Sequence, residues 1–265
     1  MLSKRQLKTI RALAKKKHRD ETGLFVAEGP KVVKDLAPFF KCVFLGMTAG
    51  FARQHPELCA EETAELTQAE LEHASFLQAP RDVIAIFRQP QAGSADLGQW
   101  PEKELCMALD TIQDPGNLGT IVRIADWFGI RHVFCSPCTV DAFSPKVVQA
   151  TMGALSRVSL HYVSLPDFIR TLKHDVPVYG TFLRGANIYT EPLEQRGLLV
   201  MGNEGNGISP EVESCVNHRL FIPSFPSGQL TSESLNVAVA TAIATAEFRR
   251  RTHADCISLF PPDTL

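Results

Sequence analysis

An α/β fold is predicted for this chain: a small N-terminal module followed by a larger domain on a mainly parallel sheet. Three observations carry that prediction. Short apolar runs alternate with stretches of helical period along most of the 265 residues, the signature of repeated strand-loop-helix units. The buried-strand pattern Leu198-Leu199-Val200-Met201 stops at Gly202-Asn203-Glu204-Gly205-Asn206-Gly207, which is how open α/β sheets build ligand sites. A polar, turn-rich segment over 89–104 divides the chain. The expected organisation is a domain over 1–95, a linker over 96–104 and a second domain over 105–265.

Taken in order, residues 3–17 read as a helix with Ser3 as its cap and Leu2, Leu7, Ile10, Leu13 and Ala14 on its apolar side. Leu24-Phe25-Val26-Ala27 is a short strand, Glu28-Gly29-Pro30 a turn, 31–36 a helix and Cys42-Val43-Phe44-Leu45 a strand. The region 64–78 looks helical, and 83–87 is a further strand. After the linker comes the strand 105–110, then a turn in which Asn117 is placed to cap a helix that ends at Gly129. His132-Val133-Phe134-Cys135 is the next strand, 143–155 a helix weakened by Gly153, and 176–181 another strand. Leu220-Phe221-Ile222-Pro223 leads through a polar loop to a last helix starting near Ser234, with Ser232 and Ser234 as candidate caps. That helix is apolar on nearly every face through Ala246, so it is expected to be buried, in the core or against a second subunit. Arg249, Arg250 and Arg251 suit its negative end. No element is predicted for the last fifteen residues.

Composition narrows the class. With 45% hydrophobic and 21% charged residues, the chain is a folded globular protein rather than a disordered one. No apolar run approaches membrane-spanning length, and no apolar core follows the basic N-terminus, so a cytoplasmic location is expected. Seven cysteines, an odd number, fit a reducing compartment. The formal net charge of -2 hides a basic first stretch, with Lys15, Lys16, Lys17 and Arg19 among its cations. Such a run is either a solvated helix face or a contact for a polyanion such as RNA.

Three blocks together resemble the signature motifs of the SpoU-type RNA 2′-O-ribose methyltransferases. They are Asp114-Pro115-Gly116-Asn117-Leu118-Gly119-Thr120-Ile121-Val122-Arg123, then Met201 through Ile208, then Ile222-Pro223 with Ser234-Leu235-Asn236-Val237-Ala238-Val239-Ala240. Phe25-Val26-Ala27-Glu28-Gly29 resembles the family's N-terminal substrate-binding domain, which is similar to a small ribosomal protein. The resemblance covers nearly the whole chain. It implies a C-terminal trefoil knot, a homodimer joined through the knotted domains, and S-adenosylmethionine held around Thr181, Gly202, Asn203, Gly205, Gly207, Ile222 and Leu235. It implies RNA contact through Lys15, Lys16, Lys17, Arg19 and Glu28, with rRNA favoured over tRNA. Phe225-Pro226-Ser227-Gly228-Gln229-Leu230 departs from the family as an insertion.

Methyl transfer from a sulfonium to a ribose hydroxyl needs alignment of two reactants and the handling of one proton, and no metal. Asn117, Arg123, Glu204, Ser234 and Asn236 are the candidate catalytic residues. Each has a bland alternative: helix caps for Asn117, Ser234 and Asn236, an exposed helix arginine for Arg123, a solvated loop carboxylate for Glu204. Because arginine stays protonated, orienting a phosphate suits Arg123 better than acting as a base. The glycines do not form a dinucleotide fingerprint, and Cys135 and Cys138 lack a second pair to complete a zinc site. An RNA-binding or assembly factor of the same fold without turnover is the competing reading.

Overall fold

The computed structural model describes residues 1–90, 96–226 and 232–253, with side chains to 250. Residues 91–95 of the turn-rich segment, 227–231, which include most of the expected insertion, and the chain from 254 lie outside the described residues. The elements run α1 (Lys4–Ala12), α2 (Lys16–Thr22), β1 (Leu24–Glu28), α3 (Pro30–Leu36), β2 (Cys42–Met47), α4 (Ala49–Gln54), β3 (Glu62–Glu65), α5 (Gln68–Ala74) and β4 (Val83–Arg88). There follow α6 (Gln99–Lys103), β5 (Leu105–Leu109), α7 (Pro115–Trp127), β6 (His132–Cys135), α8 (Pro145–Ala150), β7 (Ser159–Tyr162) and α9 (Leu165–Thr171). The last are β8 (Val178–Phe182), β9 (Ala186–Asn187), β10 (Gly197–Met201), α10 (Pro210–Glu213), β11 (His218–Phe221) and α11 (Val237–His253).

Two compact units form. The first takes Met1–Ser94 with Leu118–Arg123 and Asp141–Arg157; the second takes Ala95–Asn117, Ile124–Val140 and Val158–Leu265. In the first, a sheet of order β1-β4-β2-β3 packs on Ile10, Leu13, Leu66 and Leu71. The helix expected over 3–17 is two helices. Ser3 does cap α1 in a reciprocal box with Gln6, but the Arg19 guanidinium takes the carbonyls of Leu13 and Ala14 at 2.7 and 2.9 Å and ends it. The region 64–78 likewise divides: Glu62–Glu65 pairs with β2 as a largely exposed edge strand, and Thr67 with Glu70 caps α5. An exposed edge carries no apolar alternation for sequence to reveal. The helix expected over 143–155 ends at Ala150; Gly153, at φ +93, turns the chain into a short 3-10 turn, and a Cβ there would meet Asp35 at 2.4 Å.

The second unit holds a seven-stranded sheet of order β7-β6-β5-β10-β8-β11-β9, in which every pairing is parallel. Parallel strands covered on both faces read as continuous apolar runs, and β5 and β10 are buried at every residue. Fully burying each Leu, Val or Met there contributes about 1.5–3 kcal/mol. One feature departs from simple winding. Strand β11 lies between β8 and β9, although those two are joined by residues 183–185 alone. The connection crosses β11 so closely that a Cβ on Gly185 would meet the Arg219 carbonyl oxygen at 2.6 Å.

Helix α11 is not buried all round. Val237, Ala238, Thr241, Ala244, Thr245 and Phe248 form its buried side, whereas Val239 is 49% exposed. Half-buried Ala242, Ile243 and Ala246 continue the exposed side at helical spacing.

Candidate active site

Of the candidate residues, Asn117, Glu204 and Asn236 come together at the carboxyl edge of the second sheet, where loops follow parallel strands. Asn117 does not cap α7. Asp114 does, its Oδ1 accepting the Asn117 N–H at 2.8 Å, with Pro115 at the first helical position. The Asn117 side chain is thereby left for other contacts. Its Nδ2 donates to Glu204 Oε1 at 3.0 Å, while its Oδ1 accepts from Asn236 Nδ2 at 3.0 Å. Asn236 Nδ2 also donates to Glu204 Oε1, and the Val237 N–H reaches the same oxygen at 3.1 Å.

Asn236, rather than Ser232 or Ser234, caps α11. Its Oδ1 accepts from the N–H groups of Ala238 and Val239 at 3.0 and 3.3 Å. One Asn amide therefore caps a helix with its oxygen and organises a carboxylate with its nitrogen. The Glu204 carboxylate sits at the positive end of α11, an anion fixed by two amides and a backbone N–H. Ser234 is exposed and stands outside this network.

Arg123 lies on the stretch of α7 that belongs to the first unit and is exposed. Six helical steps put it roughly 120° around α7 from Asn117.

The glycine loop is built by internal bonds. The Asn203 and Gly207 backbones exchange two hydrogen bonds of 2.8 Å. Asn203 Oδ1 accepts from Gly205 and Asn206, and its Nδ2 donates to the Thr111 carbonyl at 2.9 Å. Gly202 is required by packing, since a Cβ would stand 2.3 Å from Gly207 C and Ile208 N; Gly207 has φ +69. Gly205 is open, with Asn203 Oδ1 nearest at 3.5 Å. Asn203, expected to touch cofactor, thus shapes the loop with its side chain.

Sequence reasoning missed the floor beneath this loop. Asp110 is 3% exposed, and its Oδ2 accepts the Ser209 N–H at 2.7 Å. Thr111 holds φ +61, with its N–H on Ser136 Oγ at 2.8 Å. The only signal for Asp110 was a carboxylate ending an otherwise apolar strand run; nothing in the sequence marked Thr111.

Thr181, Gly202 and Ile222 fall at or just beyond the ends of the adjacent strands β8, β10 and β11. Thr181 and Ile222 are half-buried, and Leu235 is 45% exposed. Thr181 Oγ1 lies 3.4 Å from the Val200 carbonyl oxygen.

In the first unit, Lys15, Lys16 and Lys17 are exposed, whereas Arg19 and Glu28 are buried at 3% and 5% exposure. Arg19 clamps Asp141 Oδ2 with Nε and Nη2 at 2.8 and 2.5 Å. Glu28 accepts the Phe76 N–H at 3.0 Å and the Ser75 hydroxyl, and burial raises its pKa against those bonds. The structure therefore assigns Arg19 and Glu28 to internal contacts rather than to an RNA surface. Cys135 is buried and Cys138 exposed. Among the described residues no group of three His, Cys, Asp or Glu could hold a metal, and no helix is long and apolar enough to cross a membrane.

Residues 104–246 match the model of the SpoU rRNA Methylase family, and residues 4–85 match the MRM3-like substrate binding domain. Among curated proteins, the 23S rRNA (guanosine(2553)-2′-O)-methyltransferase RlmP of Bacillus subtilis is 29% identical over 247 residues, 92% of this chain and 96% of that protein. A solved structure of the TrmH family of RNA methyltransferases, from Porphyromonas gingivalis, superposes with a TM-score of 0.85 at 42% identity, covering 95% of this chain and 99% of that one. An AdoMet-bound rRNA methyltransferase from Sinorhizobium meliloti superposes at 0.79 with 31% identity, covering 95% and 96%.

Proposed function

Because the chain belongs to the SpoU rRNA methylase family, we propose that it is an S-adenosylmethionine-dependent methyltransferase acting on a ribose 2′-hydroxyl of rRNA. The carrying observation is the Asn117–Glu204–Asn236 network, which joins three distant chain segments at the end of a parallel sheet. The matched family model, the relative named for 2′-O-methylation of 23S rRNA and the AdoMet-bound neighbour support the same reading.

The residues present fit the cofactor. Half-buried Thr181 and Ile222 with exposed Leu235 offer the apolar edges that an adenosyl group takes. When bound, S-adenosylmethionine supplies a methyl group already activated on a sulfonium. The chain's own task is alignment. Asn117 and Asn236, locked by Glu204, hold the start of α11 in a fixed position toward the incoming ribose. Arg123, permanently charged and exposed, engages the RNA phosphate beside the reacting sugar.

The domain over 1–95 grips the RNA, with Lys15, Lys16 and Lys17 as its phosphate contacts. The MRM3-like match over residues 4–85 supports that assignment. Passage of β11 under the 183–185 connection supports a trefoil knot. The exposed apolar side of α11 supports a homodimer formed through the same domain. A cytoplasmic, metal-independent enzyme completes the reading.

The test is transfer of labelled methyl from S-adenosylmethionine to rRNA, with the product mapped as ribose 2′-O-methylation. Arg123→Ala is expected to abolish most transfer while leaving cofactor binding intact by calorimetry. An absence of cofactor binding by the intact protein would favour an assembly factor instead.

A further inference from the structure

The three segments that meet in the active-site network meet a second time, at their far ends. Helix α7 closes with Gly129 at φ +67; the Gly129 N–H returns to the Asp126 carbonyl and the Ile130 N–H to that of Ala125, leaving the Phe128 and Gly129 carbonyls for an outside donor. Arg249 of α11 supplies it. Its Nε donates to the Phe128 carbonyl at 2.8 Å, and its Nη2 lies 3.4 Å from that of Gly129. Its Nη1 donates to Gln195 Oε1 at 3.2 Å, and Gln195 Nε2 returns to the Phe248 carbonyl at 2.7 Å. Gln195 lies two residues before β10, the strand that runs into the Glu204 loop.

So α7, the β10 segment and α11 are tied at one end through Asn117, Glu204 and Asn236, and at the other through Phe128, Gln195 and Arg249. The spans agree. Asn117 to Phe128 covers about 17 Å of helix and Asn236 to Arg249 about 20 Å, at 1.5 Å per residue, so the two helices run in the same direction between the ties. Sliding α11 along α7 by about 1 Å would displace the amide contacts of 3.0 Å from their alignment, and misplacements of that size can cost on the order of 10²-fold in rate. A guanidinium at a helix carboxyl end also offsets the orphan carbonyls and dipole there.

We propose that Arg249 is a positioning residue for methyl transfer, fixing the register of α11 against α7 and the Glu204 loop from the opposite end of both helices. The proposal rests on the methyltransferase reading above, and its test separates the two. Arg249→Gln and Arg249→Lys are compared with the intact protein in kcat and KM for rRNA methylation, in calorimetric cofactor affinity, and in deuterium uptake over residues 235–241.

The expected result for Arg249→Gln is a kcat lowered at least tenfold, RNA KM and cofactor affinity within about twofold, and faster exchange confined to 235–241. Arg249→Lys, which keeps the charge but reaches fewer acceptors, should recover part of kcat. An unchanged kcat in a folded Arg249→Gln overturns the proposal. So does exchange that rises evenly across the chain with no recovery in Arg249→Lys, because a merely destabilised fold would behave that way. If the intact protein transfers no methyl yet exchange over 235–241 still responds, the tie stands and the activity reading falls.

Discussion

The Asn236 side-chain amide donates to the side-chain oxygen of Asn117 at 3.0 Å across 119 residues of chain, and both amides donate to one oxygen of Glu204. Glu204 is the acceptor that lets two amides share a site. Glu204→Ala would remove the oxygen that accepts from both amides and from the Val237 N–H, so all three donors would lose that acceptor. The expected outcome is methyl transfer reduced on the order of 10²-fold, with cofactor affinity changed much less, measured by labelled transfer and calorimetry.

Two glycines of one loop should respond in opposite ways. Gly202→Ala places a Cβ 2.3 Å from the Gly207 and Ile208 backbone, where nothing can move without opening the loop. Loss of cofactor binding and a clearly lowered melting temperature are expected. Gly205→Ala meets only Asn203 Oδ1 at 3.5 Å and should keep both near the parent values. Equal effects in the two variants would mean that the loop is not packed as described.

Basic residues near the N-terminus divide by burial. Removing one partner of the buried Arg19–Asp141 pair, as in Arg19→Ala, should destabilise by about 3–5 kcal/mol, read by denaturant unfolding. Replacing exposed Lys15, Lys16 and Lys17 with alanine should leave stability within about 0.5 kcal/mol. That triple variant should weaken RNA binding and flatten the slope of log affinity against log salt by roughly 2 to 3.

Acid should weaken the fold through a histidine pair. His132 Nδ1 and His161 Nε2 lie 3.1 Å apart, and His132 stacks on Trp100 at 4.2 Å. Burial, and then the charge of His132, pull His161 from 6.5 to about 4; burial and then Arg131 lower His132. Since the folded protein holds the neutral form, the stabilisation is complete above pH 6.5 and is lost as pH falls from 6.5 toward 4. His161→Gln should flatten that acid-dependent loss, measured as the difference in unfolding free energy between pH 7 and pH 4.5. An identical pH slope in the variant would contradict the assignment.

The strands of the second sheet were legible because parallel, doubly covered strands write themselves as unbroken apolar runs, as in Leu198 to Met201. The motif residues Asn117, Glu204 and Asn236 were legible as polar residues at loop-helix junctions, but their roles were not. Pro115 is a local signal that makes Asp114 the cap, but what Asn117 does instead is decided by an acceptor 87 positions away in Glu204. Arg19 and Glu28 misled for the converse reason. A charged residue inside a basic run or beside a turn looks solvated until its distant partner, here Asp141 or Ser75, is known.

The crossing of residues 183–185 over β11 sets an order of events during synthesis. Among the described residues β9 pairs with β11 alone, so it has nothing to hold until residues 218–221 have left the ribosome. Those residues then add to the free edge of β8 and give β9 its partner. A nascent chain halted before that point would carry an open sheet edge at β8, an unpaired row of backbone groups that invites association with other chains.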